Sequence, residues 1–343
     1  MRHLIRTLAA IVVFSAAAAL AQQPQFIHAR LTTVAADHGL TAELDTLKRE
    51  AAPVWVGYSI PVAEKFSSGW SSPSITYLEG NQPSGNNEVS SSHNISYDHA
   101  ILLFRIADHA IEKIHVDNPD RQLDANNLRV VWLTNITPDD SIATLKSLAL
   151  QNDTKKVRDG AVFAISIHQS PATVPALISL AAPANDRDLR EKSAFWLANQ
   201  HGHEGFTALQ GFARNDPDAA FREKLAFDFT LTKDPDAIKE LIRMAHEDSS
   251  TQVRKQAQFW MAMKGGKVVA GDLRNLAEND PDSQLRKSAV FALSRLPDGE
   301  AATQLIQVAS TSKDPGVRKQ AVFWLGQSSD PRALDYLTHL LQQ

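Results

Sequence analysis

The sequence predicts an α-solenoid preceded by a small α+β domain, and three observations predict it. Six stretches align without gaps at a spacing of 32 residues, beginning at Val157, Leu189, Phe221, Val253, Leu285 and Val317. Each stretch repeats an Arg at its second position, a Phe at its seventh and a Leu at its twenty-first. The chain before about residue 124 lacks this helical period and is mostly extended in pattern. A fixed period of a few tens of residues marks a solenoid, in which each unit buries its apolar face only against its neighbours.

The N-terminus comes first. Arg2 and Arg6 form a basic segment, Leu8 to Leu20 is an apolar run, and Ala19-Leu20-Ala21 supplies small residues for cleavage. Residues 1–21 therefore read as a secretory signal peptide, which places the mature chain in the periplasm or outside the cell. No other apolar stretch approaches spanning length, so no membrane span is expected after signal removal. The chain has no Cys, which removes disulfides, thiolate metal sites and lipoprotein anchoring together. Cleavage would remove two Arg and no acid, moving the formal charge from −4 to −6. A mildly acidic chain without a Lys/Arg block is not expected to bind nucleic acid.

Residues 22–124 read as the small α+β domain. Thr41 to Ala52 has the pattern of one helix. Val54 to Ile60 alternates loosely and is rich in β-formers. Ala100 to Ile106 and Ala110 to Val116 flank Asp108-His109 as a tight hairpin. The segment 80–94 is crowded with Gly, Ser, Asn and Pro and reads as a mobile loop.

Residues 125–343 read as the solenoid, with one degenerate unit ahead of the six regular ones. In each unit, positions 1, 5, 8 and 9 form the apolar stripe of a first helix. Ser170-Pro171, Asp234-Pro235 and Asp330-Pro331 carry helix-start chemistry for the second helix, and Asp216-Pro217, Asp280-Pro281 and Asp314-Pro315 for the next first helix. The second helix should point positions 21, 24 and 25 inward, for example Leu337, Leu340 and Leu341. In the degenerate unit, Pro138 to Leu150 reads as its second helix. Its first half, Val130 to Leu133, reads equally as a last strand of the preceding domain. The last unit carries no polar cap, so its apolar run predicts a docking or self-association face.

The run Val317 to Gly326 (VRKQAVFWLG), followed by Asp330-Pro331 and an apolar second helix, resembles the HEAT repeat, most closely the short bacterial type named after phycobilisome lyases. The resemblance implies an α-α superhelix, a HEAT-like solenoid used mainly for protein contacts. It implies no particular reaction.

Four sets of residues are candidates for function. Arg158, Arg190, Arg222, Arg254, Arg286 and Arg318 recur with acids a few residues upstream in every unit. Matching acids favour an internal ladder over an anion-binding groove. Trp132, Trp196, Trp260 and Trp324 lie 64 residues apart at position 8, with Ala164, Asp228 and Ala292 between them, as alternating large and small core layers would require. Phe163, Phe195, Phe227, Phe259, Phe291 and Phe323 lie away from the buried stripe on a helical wheel. They either pack between neighbouring first helices or form a partner-binding ridge. His201, His203 and Glu204 could hold a zinc ion, although a solvated polar turn is the plainer reading.

The HEAT-like deoxyhypusine hydroxylases bind two irons through His-Glu pairs just after the repeated Arg. The equivalent positions here, such as Glu191-Lys192 and Glu223-Lys224, hold no such pair. No nucleophile elbow, phosphate loop or zinc-protease helix occurs, and no catalytic residue or cofactor is assigned. The expected function is a non-enzymatic scaffold or adaptor of the bacterial envelope that binds another protein. A metal-dependent hydroxylase or a lyase-type enzyme is the alternative.

Overall fold

The computed structural model describes residues 23–66, 75–80, 97–151, 154–297 and 299–342. The signal peptide read over residues 1–21, and the loop read over 80–94 apart from Gly80, lie outside them. The chain divides into two compact units. One runs through residue 145 and includes 153–160 and 167–170; the other holds 146–152, 161–166 and everything from residue 171.

The first unit is built on two sheets. A five-stranded sheet has the order β2-β8-β3-β5-β6, from β2 (Arg30–Ala35), β3 (Val54–Phe66), β5 (Tyr97–Ala107), β6 (Ala110–Asp117) and β8 (Arg129–Thr134). β3 and β5 pair antiparallel from Val54↔Ile106 through Pro61↔His99, and β8 runs parallel to both β2 and β3. The smaller sheet has the order β1-β7-β4, from β1 (Gln25–Ile27), β4 (Ile75–Tyr77) and β7 (Gln122–Asp124). The β5–β6 hairpin turns at Asp108 and His109, whose φ values of 48° and 64° give the double left-handed turn that matches strand twist. Helix α1 (Leu40–Lys48) buries Leu40, Leu44 and Leu47.

β3 and β5 are buried on both faces, which explains their near-continuous apolar sequence. Trp55, Ile101, Leu103, Leu123, Val130 and Trp132 share one core cluster. Gly57 is required there, because a Cβ would stand 2.7 Å from the Leu103 side chain. On the strand's other face, Tyr58, Ser141 and His168 form a fully buried relay. The Ser141 hydroxyl lies 2.7 Å from the Tyr58 hydroxyl and 2.8 Å from His168 Nε2.

The boundary drawn at residue 125 therefore moves. Val130 to Leu133 is a strand, not the first helix of a leading unit. The run is short, β-branched and buried on both faces, and two strands lie ready to pair with it. Only the second half of the degenerate unit is helical, as α2 (Pro138–Gln151).

In the second unit, helices alternate. The first helices are α3 (Lys155–Ile167), α5 (Arg187–Gln200), α7 (Ala219–Leu231), α9 (Thr251–Gly265), α11 (Ser283–Leu293) and α13 (Pro315–Gly326). The second helices are α4 (Thr173–Leu180), α6 (Gly202–Asn215), α8 (Ala237–Glu247), α10 (Ala270–Asn279), α12 (Glu300–Thr311) and α14 (Pro331–Leu341). From α5 onward each first helix packs on its second helix and on the first helices beside it, so burial is between neighbours throughout. Positions 1, 5 and 9 are buried in every unit they occupy here, for example Leu225, Phe229 and Val253.

The helix starts depart from the reading at Ser170, Asp216, Asp234 and Asp280: α4 and α8 begin two residues beyond Pro171 and Pro235, after Ala172 and Asp236, with no side-chain cap. Asp314 and Asp330 cap α13 and α14 as their Pro neighbours suggest. The caps of α7 and α11, however, are Asp218 and Asp282, two residues beyond Asp216 and Asp280. Asp216 and Asp280 are instead turned inward and buried. In the last unit, Leu340 and Leu341 are exposed and do not point inward as the spacing predicts. Ala333 is the buried residue of α14, which packs on α12 and α13 among the described residues.

Candidate functional site

The inward acids explain the arginine series. Within the second unit, Arg190, Arg222, Arg254 and Arg286 each face the Asp that opens the following helix pair. Arg190 bonds Asp216 and also donates to the Ala181 carbonyl at 3.0 Å. Arg222 forks onto both oxygens of Asp248 at 2.9 Å and donates to the Asp216 carbonyl at 2.7 Å. Arg286 repeats the pattern with Asp314 and the Asp280 carbonyl. Arg318 donates to the Ser312 carbonyl at 2.8 Å. Arg254 is looser, with Nη1 3.9 Å from Asp280 and a buried Nε that has no hydrogen-bond partner. Burial would raise the Asp248 carboxyl, but the Arg222 fork and the Ser250 amide hold it below the usual carboxylate range. Such pairs join neighbouring units and leave these guanidinium groups unavailable to a bound anion. Arg158 lies in the segment assigned to the other compact unit.

The Phe and Trp series meet one another. Trp196, Trp260 and Trp324 are half-buried, not core. Position 8 is fully buried where the side chain is small, at Ala164, Asp228 and Ala292. An indole is too large for that space, and it lies across the layer of first helices against the Phe rings. Phe163 packs on Trp196 with ring centres 4.9 Å apart, and Trp196 on Phe195 at 5.0 Å. After the break at Asp228, a second run joins Phe227, Trp260, Phe259, Phe291, Trp324 and Phe323 at 4.8 to 5.9 Å between neighbours. The Phe rings are half-buried and Phe323 is 53% exposed. The layer of first helices therefore presents a half-exposed aromatic ridge, while its inner face holds the core.

A groove of about 360 Å³ opens on this ridge at the break. It is lined by Glu191 of α5, by Ala220, Glu223, Lys224 and Phe227 of α7, and by Gln256 and Trp260 of α9. Lys224 Nζ stands 4.2 Å from the centre of the Phe227 ring and donates to Asp228 Oδ1 at 3.3 Å. Asp228 is fully buried and its Oδ2 has no hydrogen-bond partner. Burial, with a smaller push from Glu191, drives its carboxyl up to about 7 against the pull of Lys224. Glu191 makes no ion pair among the described residues, and Glu223 accepts from the Gln252 amide at 3.2 Å. Sequence reasoning passed over this site. Its one signal was Asp228, a charged residue on a stripe otherwise apolar or small.

On the second helices the buried Glu240 carboxylate is neutralised internally. Arg214 and Arg243 both donate to buried Glu240, and Arg274 donates to Gln304 and Gln307. His203 pairs with Asp234 of the following turn at 2.7 Å, and Glu204 is exposed in the first turn of α6. His201, His203 and Glu204 are not brought together as ligands, and no group of three or more His, Asp or Glu suited to a metal occurs among the described residues. No helix among them is long and apolar enough to cross a membrane.

Comparison with known proteins bears on the helical part. A family model of HEAT repeats matches residues 271–343. The second unit is a HEAT-like solenoid. No curated protein matches the sequence. Among solved structures, human deoxyhypusine hydroxylase in complex with glycerol is similar over 59% of this chain and 90% of its own, at 14% identity and a TM-score of 0.33. The YibA protein of Escherichia coli is similar over 60% of this chain and 79% of its own, at 20% identity and a TM-score of 0.36. The complex of CpcE and CpcF of phycocyanin lyase from Nostoc sp. aligns over 61% of this chain and 88% of that chain, at 19% identity and a TM-score of 0.31.

Proposed function

We propose that this chain is an adaptor of the bacterial envelope, exported by its N-terminal signal, that holds a partner protein on the aromatic ridge of its first helices. The observation that carries this reading is the ridge itself. Its rings are large, half-exposed and contiguous across several units, whereas Glu240 of the second helices is already held by Arg214 and Arg243. Aromatic side chains are the residues in which interface binding energy concentrates.

The test is quantitative capture from envelope extracts with the mature chain and with a Phe195→Ser/Phe259→Ser variant. A protein retained by the native chain and lost by the equally stable variant supports the ridge as the docking face. Equal retention by both removes it. Export is tested by N-terminal sequencing of the fractionated protein, with a start at Gln22 expected. The enzymatic alternative, a metal-dependent hydroxylase or lyase-type activity, is tested by metal analysis of the purified chain. Stoichiometric iron or zinc would favour it over the adaptor.

A further inference from the structure

The two edges of the five-stranded sheet are built differently. β6, at one edge, carries Glu112, Lys113 and Asp117, and its ladder to β5 is interrupted by a register shift at Arg105/Ile106. Charges and irregularities of this kind keep an edge from pairing with another strand. β2, at the other edge, reads Arg-Leu-Thr-Thr-Val-Ala and pairs in unbroken register with β8. Between Arg30 and Asp37 the chain holds no charge, no Pro and no Gly. All six residues of β2 are exposed, including Leu31 on one face of the strand and Val34 on the other.

Only half of the β2 backbone is used. The Arg30 amide donates to the Leu128 carbonyl and the Ala36 amide to the Thr134 carbonyl, both at 3.0 Å. Main-chain groups alternate between the two edges of a strand, so Thr32 and Val34 also face β8. Leu31, Thr33 and Ala35 turn their amides and carbonyls off the open edge, where no strand lies among the described residues. This edge is complementary to itself in the antiparallel sense. With Thr33 opposite Thr33 of a second copy, Leu31 stands opposite Ala35 and Thr32 opposite Val34 on each side of a two-fold axis. The three outward residues of one copy then meet the three of the other. The cross-strand pairs are β-branched or apolar, which favours pairing. The same sense brings Arg30, exposed and without an ion pair among the described residues, toward the exposed Asp37 of the other copy. No like charges face one another. We propose that β2 pairs with β2 of a second copy of this chain, Thr33 against Thr33 on the two-fold axis, so that the two five-stranded sheets join edge to edge in a dimer. Such a dimer would carry the aromatic ridge twice, and neither feature depends on the other.

The experiment is sedimentation equilibrium of the mature chain from about 1 to about 100 μM, where a single strand pair of modest area is expected to associate. A mass rising toward that of two chains is expected. Thr33→Lys sets two ammonium groups against each other on the axis, and Thr33→Glu sets two carboxylates. Each should weaken association at least about fivefold. Thr33 is exposed and its main-chain groups point off the edge, so melting of the dilute protein should be unchanged. An equimolar mixture of the two variants should recover association, because opposite charges on two copies repair a position that meets itself. A native chain that stays monomeric across the range overturns the proposal, and so does a dimer that both variants leave intact. Loss in both variants without recovery in the mixture also overturns it, since Thr33 would then face a different residue.

Discussion

Asp228→Asn should become steadily more stable than the native chain as the pH rises from about 4 to about 8. The carboxyl is fully buried in α7, Oδ2 has no partner among the described residues, and Lys224 donates to Oδ1 at 3.3 Å. Burial therefore raises it from 3.8 to about 7. In the unfolded chain the same group titrates near 4, so the folded state holds its proton more tightly. The stability contributed by the protonated form is present in full below about pH 4, falls as pH rises, and is lost above about pH 7. At about 1.4 kcal/mol per pH unit, the loss over that window is about 4 kcal/mol. An amide does not titrate, so the variant escapes it. The assay is denaturant unfolding of both proteins at matched ionic strength across the window, read by tryptophan emission and far-UV circular dichroism. Other titrating groups are common to both proteins and cancel in the difference. A difference between the two midpoints that is the same at every pH would refute the reasoning. It would mean that Lys224 and solvent already satisfy the carboxylate and that Asp228 is not held in a low-dielectric site.

Three other outcomes follow from the geometry. Arg222→Ala leaves Asp248 buried without its fork and should cost about 3–5 kcal/mol; Arg254→Ala, whose carboxylate partner is 3.9 Å away, should cost less than half as much in the same unfolding series. Equal costs would mean that the ladder is uniform in solution. Trp260→Ala should cost about 2 kcal/mol, below the 3–5 kcal/mol of a fully buried Trp, because the indole is half-exposed on Phe227 and Phe259. A loss at the full core value would place the ring inside the stack. Tyr58→Phe leaves the buried Ser141 hydroxyl with only His168 among these three partners and should cost about 1–3 kcal/mol by thermal unfolding. An unchanged melting curve would show that water substitutes for the phenol.

Much of the solenoid was legible in the sequence, because its physics is local. Each unit buries its face against neighbours of nearly identical sequence, so the period of the apolar residues states which face is inside. The Arg at position 2 and the Asp ahead of each helix pair recur for the same reason, since one contact is made again and again at the seams. The Asp108-His109 turn was also legible, because two residues between apolar runs leave few backbone solutions. Tertiary structure decided the rest. Val130 to Leu133 became β8 because β2 and β3 were there to pair with it, a condition about 75 to 100 residues away in sequence. Asp216 and Asp280 ceded the capping positions to Asp218 and Asp282 and turned inward, Asp216 onto the buried Arg190 guanidinium and Asp280 toward Arg254 at 3.9 Å. The Trp rings lie on the ridge because the space between first helices fits Ala or Asp and not an indole. The groove depends on all of this. Glu191, Glu223 and Gln256 come from three successive repeats along the chain, and only stacking brings them to one opening. A period in the sequence states which face is buried; how large side chains share the space between faces is settled by volume and electrostatics that no single unit contains.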